Sequence, residues 1–227
     1  MALNLGQYDD LNRPDVVCEK VLGAIPKEDV NVLRMLIKKP FGLYSLPREL
    51  SWVTHLIASA VQHQSKIGVT QPFCYLTIRS GEVKSVTDDE WHVDGFSQTI
   101  THLPEQNYIW TNKVPTEFLN GYPIKIPRDF DSSRHNIHKF FQKDIEAYDG
   151  KLPIETFEPE TLYCVDPYII HRRPASSNGM LNRTFVRISF TPIEIEDVNN
   201  TLNPLLSTDY TRDGVKEIRD KLVEYPN

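Results

Sequence analysis

Cysteine is scarce in this chain, with three among 227 residues, at Cys18, Cys74 and Cys164. The number is odd, the spacings are wide and no CxxC occurs. That pattern fits free thiols in a reducing compartment rather than a disulfide framework. Glycine is also sparse at 10, whereas proline reaches 16. This balance suggests stiffened loops and argues against a helix bundle. Positive charge is in deficit, with Lys plus Arg at 25 against Asp plus Glu at 31, a net charge of −6. A generic nucleic-acid binder leans on Lys and Arg to neutralise phosphates, so that class is disfavoured, although a local basic groove is not excluded. No apolar run approaches the ~20 residues of a membrane span. The first ten residues lack the basic-then-apolar pattern of a signal peptide. The expectation is a soluble cytoplasmic protein with no membrane partner. Internal repeats, low-complexity stretches and linkers are missing too. So are a phosphate-binding loop, a dinucleotide fingerprint and a nucleophile elbow.

What is present reads as one domain over residues 1–227. Pro26 through Lys38 has a helix-type start, and Val30, Leu33, Leu36 and Ile37 then fall on one helical face. A second helix is expected from Arg48 to about Gln64. From Gln71 the period changes to two. Strands are expected at Pro72–Arg79, Trp91–His92, Ser97–His102, Asn107–Trp110, Ile154–Phe157, Leu162–Val165, Tyr168–His171 and Arg183–Pro192. A helix from Ser132 to Tyr148 interrupts them, and another from Arg212 to Glu224 closes the chain. The expected architecture is mainly β, a sandwich or barrel with flanking helices. Residues 1–70 would be helical support, 71–192 the core with an insert at about 120–150, and 193–227 a helical extension. The insert is expected to form part of a lid or substrate-selecting segment.

The chemistry concentrates in three places. In Trp91-His92-Val93-Asp94, His92 and Asp94 are two apart. On a strand they share a face, so an imidazole and a carboxylate can converge on one ion. Downstream, a hydrophobic strand leads into His171, followed by Arg172 and Arg173. Next comes Arg183-Thr184-Phe185-Val186-Arg187-Ile188-Ser189-Phe190. Thr184, Val186, Ile188 and Phe190 lie on one face; Arg183, Phe185, Arg187 and Ser189 lie on the other. Buried guanidinium groups need an anion, and Arg grips a carboxylate with two parallel hydrogen bonds.

Two His and one carboxylate with open positions opposite form the ligand set of non-haem Fe(II) oxygenases. The H-x-D, the distal His and the R-x-S on the following strand together resemble the Fe(II)/2-oxoglutarate-dependent dioxygenase superfamily, over roughly Pro72 to Pro192. The resemblance implies a double-stranded β-helix, a jelly-roll or cupin-like core. It implies His92, Asp94 and His171 as the catalytic iron ligands. Arg187 with Ser189 matches the cosubstrate-binding R-x-S, with Arg183 as the alternative anchor and Thr116 as a second cosubstrate contact. Arg183 and Arg187 follow the distal His by twelve and sixteen positions, further than in many members. The implied cofactors are Fe(II), 2-oxoglutarate and O2, and the products are succinate, CO2 and an oxidised substrate. The most direct expectation is hydroxylation of a small molecule or of a peptide or protein residue. A spare arginine would suit an anionic substrate.

Two other readings stand beside it. One is a cupin-like metalloenzyme that does not use 2-oxoglutarate, although the H-x-H usual there is missing. The other is a non-catalytic jelly-roll binding module. Among the remaining candidates, His55, His63, His135 and His138 read as packing or surface residues of helices, with no HExxH around them. His102 ends a strand. Tyr75 and Tyr168 are either cavity liners or core. Arg172 and Arg173 either form a positive rim or pair with surface acids.

Overall fold

The computed structural model describes residues 3–4, 14–20, 30–83, 90–94, 105–120, 122, 125–127, 129–131, 134–165, 169–173 and 181–206. Its strands are β1 (Leu3–Asn4), β2 (Asp15–Cys18), β3 (Asn31–Lys38), β4 (Phe73–Val83), β5 (Gln106–Thr111), β6 (Glu117–Leu119), β7 (Lys125–Ile126), β8 (Ile154–Thr156), β9 (Leu162–Val165), β10 (His171–Arg172) and β11 (Leu181–Thr191). A 3-10 turn (Arg48–Val53) leads into α1 (Thr54–Lys66), and α2 (Ile137–Glu146) lies between β7 and β8. The protein is mainly β, and all strand pairings among the described residues are antiparallel. Six strands form a large sheet in the order β2-β9-β5-β11-β4-β3. Three form a small one, β10-β6-β8, and β1 pairs with β7. No helix among the described residues is long and apolar enough to cross a membrane.

The alternation expected in β11 holds residue by residue. Val186, Ile188 and Phe190 pack with Cys74, Leu76 and Ile78 of β4 and with Leu56, Ile57 and Ala60 of α1. Each such aliphatic side chain contributes about 1.5–3 kcal/mol when fully buried. The helix on this outer face leaves the opposite face of the sheet for Arg183, Arg187 and Ser189. A second core gathers Trp91, Val93, Leu119 and Ile170 with Ile137, Phe141 and Ile145 of α2. A third fills the space behind β5 and β9 with Ile109, Phe118, Tyr163, Val165 and Ile169.

Residues 31–38 correct the first expected helix. They form β3, at the edge of the large sheet beside β4. The register slips between Val32 and Met35 and again between Leu36 and Lys38, and Arg34 sits at φ 41°. Each bulge adds an unpaired residue, so Val32, Met35, Leu36 and Ile37 are buried together. That spacing imitates a helical stripe. Residues 26–29 lie outside the described part. Among the described residues of 1–70, helical support is therefore reduced to the 3-10 turn and α1, because β2 and β3 are sheet strands.

α2 starts later than expected, where the Asn136 side chain accepts hydrogen bonds from the amides of His138 (3.0 Å) and Lys139 (3.2 Å). This cap satisfies donors that the helix leaves open. No helix occurs in 193–206. That segment ties down β3 instead: the Leu33 amide donates to Thr201 Oγ1 (2.9 Å), and Asn203 Nδ2 donates to the carbonyls of Leu36 and Ser45 (2.8 Å each). The helix expected at 212–224 and the strand expected at 97–102 lie outside the described residues, as do His102 and Tyr168.

Candidate metal centre

Trp91 and Val93 are each only 2% exposed in the core that includes α2. Burying these two forces His92 and Asp94 to the opposite side. The backbone of His92 is then bridged to that of His171. His92 N–H donates to the His171 carbonyl, and His171 N–H donates to the His92 carbonyl, both at 2.9 Å. The ring centroids lie 4.5 Å apart. One ligand atom from each of His92, Asp94 and His171 can be chosen so that all three lie within 4.8 Å of one another.

Each ring has its other nitrogen occupied. Nδ1 of His92 is 2.8 Å from the Glu90 carbonyl, and Nδ1 of His171 is 2.9 Å from the Ile169 carbonyl. A carbonyl only accepts, so each Nδ1 carries the proton and each Nε2 presents a lone pair. This is how metal-binding histidines are usually oriented. Asp94 Oδ2 lies 3.5 Å from His171 Nε2 and accepts a hydrogen bond from Arg187 Nη1. Burial raises the Asp94 carboxyl, but the Arg187 guanidinium beside it outweighs this and holds the group well below the usual range. A charged carboxylate and two neutral imidazoles fit a divalent transition metal.

Burial, reinforced by the neighbouring His171, lowers His92 to about 4 from an ordinary 6.5. In the unfolded chain the ring takes up a proton at about 6.5, whereas in the fold it does so only near 4. The stability of the metal-free protein should therefore be intact above pH 6.5 and fall as pH drops to about 4. The gap corresponds to at most roughly 3 kcal/mol. Urea denaturation of the apoprotein at several pH values reads this out. A slope between pH 6.5 and 4 that survives in His92→Gln would sink the attribution.

The two arginines of β11 are engaged differently. Arg187 is tied to Asp94. Arg183 is 5% exposed and donates through Nε to the Lys113 carbonyl at 3.3 Å. Among the described residues its Nη2 is buried without a hydrogen-bond partner, and so is the Tyr163 hydroxyl. Burial raises the Tyr163 phenol to about 12, while Thr116 and the Arg183 charge pull it the other way. Burial also lowers Arg183 to about 10. Arg183, Tyr163 and the buried Thr116 thus make a second polar cluster, apart from the triad. Ser189 does not join Arg183; its hydroxyl donates to Asn107 Oδ1 at 2.5 Å.

The other expected candidates fall elsewhere. Arg172 donates to Glu117 at 2.7 Å and lies over the Trp91 ring at 4.2 Å, so it pairs with an acid. His63 Nδ1 meets the Tyr108 hydroxyl at 3.0 Å, and His135 Nδ1 accepts from the Asp131 amide at 3.2 Å. The His138 ring stands edge-on to His92 at 6.1 Å. The Tyr75 hydroxyl accepts from the Ile195 amide at 2.7 Å. α2, in the expected insert, packs under Trp91 and Val93. Two residues that sequence reasoning passed over, Glu105 and Asn107, sit beside Arg187. Extending the period-two reading of β5 back to residue 105 would have put both on the interior face with Ile109. No protein-family model matches the chain, and no curated protein matches it.

Proposed function

We propose that this protein is an Fe(II)- and 2-oxoglutarate-dependent oxygenase that hydroxylates a small molecule or a peptide or protein residue. The observation that carries the reading is Arg183, a buried guanidinium with an unpartnered Nη2 on the same sheet face as Arg187, which holds Asp94. An open His-Asp-His triad alone suits many metalloenzymes. A buried cation waiting for an anion suits a dicarboxylate cosubstrate. The order of strands supports the double-stranded β-helix. From β4 to β11 the chain passes between the large sheet and the small one, with His92 bridging onto β10, as a jelly roll requires. Free cysteines support a reducing compartment such as the cytoplasm.

In this reading His92, His171 and Asp94 hold the metal, and Arg187 orients the Asp94 carboxylate. Arg183, with the Tyr163 hydroxyl and Thr116, takes the far carboxylate of 2-oxoglutarate. Arg187 Nε and Arg183 Nη2 are both buried without a hydrogen-bond partner among the described residues. The assignment prefers Arg183, because Arg187 already faces the Asp94 carboxylate and Ser189 is taken by Asn107, whereas the hydrogen bond of Arg183 goes to the Lys113 carbonyl. Ile109, Phe118, Val165 and Ile169 pack with Tyr163 in one apolar core, which holds the Tyr163 ring in place. Bound iron and cosubstrate supply the oxygen-activating chemistry, with release of succinate and CO2; the protein supplies placement and shielding.

The test is an anaerobic titration of apoprotein with Fe(II) and 2-oxoglutarate, read by the visible charge-transfer band of the chelate. Arg183→Leu should weaken 2-oxoglutarate by about 100-fold, the scale of removing one partner of a buried charge pair, while Fe(II) still binds. Wild-type protein that binds metal but shows no band would overturn the oxygenase reading. An unchanged titration in Arg183→Leu would overturn the anchor.

A further inference from the structure

Beyond the triad and the Arg183 cluster, the inner face of the large sheet carries one more polar group beside Asp94. Glu105 immediately precedes β5, and Asn107 lies two residues on, so both point to the same face. Across the ladder, Ser189 of β11 is paired in register with Asn107, and Arg187 with Ile109. Asn107 is fully buried. Its Oδ1 accepts from the Ser189 hydroxyl at 2.5 Å, which fixes the amide and leaves Nδ2 as its donor. Among the described residues that Nδ2 has no hydrogen-bond partner. It lies close enough to the Glu105 carboxylate to favour its charged form, as does Arg187. Glu105 itself is only half-buried, so the pair has a deep donor and a more open acceptor. Burial raises the Glu105 carboxyl, and the charge on Asp94 adds to this, which places Glu105 within the field of the metal centre.

A buried donor left unpaired is costly. We propose that Glu105 and Asn107 are the substrate-recognising pair of this centre. They take a neutral group that presents an N–H donor and a carbonyl acceptor side by side, an amide or imide edge. The N–H is donated to the Glu105 carboxylate, and the carbonyl accepts from Asn107 Nδ2. This rests on the oxygenase reading, since it makes the wall beside Asp94 the substrate's wall. It also replaces the expectation of an anionic substrate held by a spare arginine, because Arg187 already faces Asp94 and Glu105.

The experiment uses full-length protein loaded anaerobically with Fe(II) and 2-oxoglutarate. The probes are uracil, a rigid cyclic edge, and N-acetylglutaminamide, an open-chain one. 1,3-Dimethyluracil, whose N–H groups are blocked, is the control. Binding is followed by ligand-observed NMR and by the shift of the charge-transfer band. At least one probe should bind, and which one does identifies whether the edge is a ring or a carboxamide. Methylation should weaken uracil by about tenfold or more, the scale of one lost hydrogen bond with its partner left buried. Glu105→Ala and Asn107→Ala should each do the same to the bound probe, with the band itself retained. Asn107→Asp, which replaces the donor by an acceptor at constant size, should abolish binding. If neither probe binds, or the probes bind all variants as they bind wild type, the recognition pair is wrong while a retained band leaves the oxygenase reading standing. A missing band in wild type overturns both.

Discussion

Alanine at His171 is expected to abolish retention of Fe(II). Partners one layer outside a metal's ligands already change affinity by about 10–100-fold, so loss of a ligand should exceed about 100-fold. The residue is 4% exposed, and its bridge to His92 is made entirely by backbone atoms. The substitution therefore removes the ligand while leaving the strand pairing able to form. Anaerobic dialysis against Fe(II) followed by metal analysis gives the affinity, and circular dichroism checks the fold. His171→Gln, closer in size, controls for the space left behind and should lose the metal as well. Wild-type iron binding in a folded His171→Ala protein would remove the triad from consideration.

The second large effect concerns stability. Trp110 is fully buried on β5, in the core formed between the large sheet and α1. Truncation to alanine should destabilise the fold by about 3–5 kcal/mol. That is a large fraction of the roughly 5–15 kcal/mol that holds a typical domain together. The consequence reaches the site, because β5 lies between β9 and β11 and carries Asn107 on its other face. Trp110→Phe should lose a fraction of that amount, since most of the volume remains. Urea denaturation reads both. A loss under about 1 kcal/mol in Trp110→Ala would show that the ring is not packed as described.

Strands with strict alternation and a single partner face were legible in the sequence. β11 is the clearest case, because its apolar and polar residues sort onto two faces that meet different surroundings, α1 on one side and the metal centre on the other. The H-x-D segment was legible for the same reason: Trp91 and Val93 want the core, which leaves His92 and Asp94 together. β3 was not, because two register slips move its buried positions off period two. The short strands β6 and β7 carry too few residues to show a period at all. The two arginines could be placed on one face, but not assigned. Their roles depend on Asp94 and Tyr163, which lie far away in sequence and are brought close only by the sheet order. Glu105 and Asn107 escaped notice because neither belongs to a motif; their meaning comes from Ser189 and Arg187 across the ladder.

The position of β11 has a consequence for how the chain comes to be folded. It is the last of the described strands, yet it lies between β4 and β5, with Phe73 paired to Thr191 and Gln106 to Phe190. Until residue 191 has left the ribosome, β4 and β5 have no strand between them and each offers an open edge. Such edges invite pairing with other chains, and contacts this distant in sequence form slowly. The Arg187–Asp94 contact waits on the same event. During synthesis, therefore, Asp94 gains its Arg187 partner last, on a sheet whose apolar strands have already emerged.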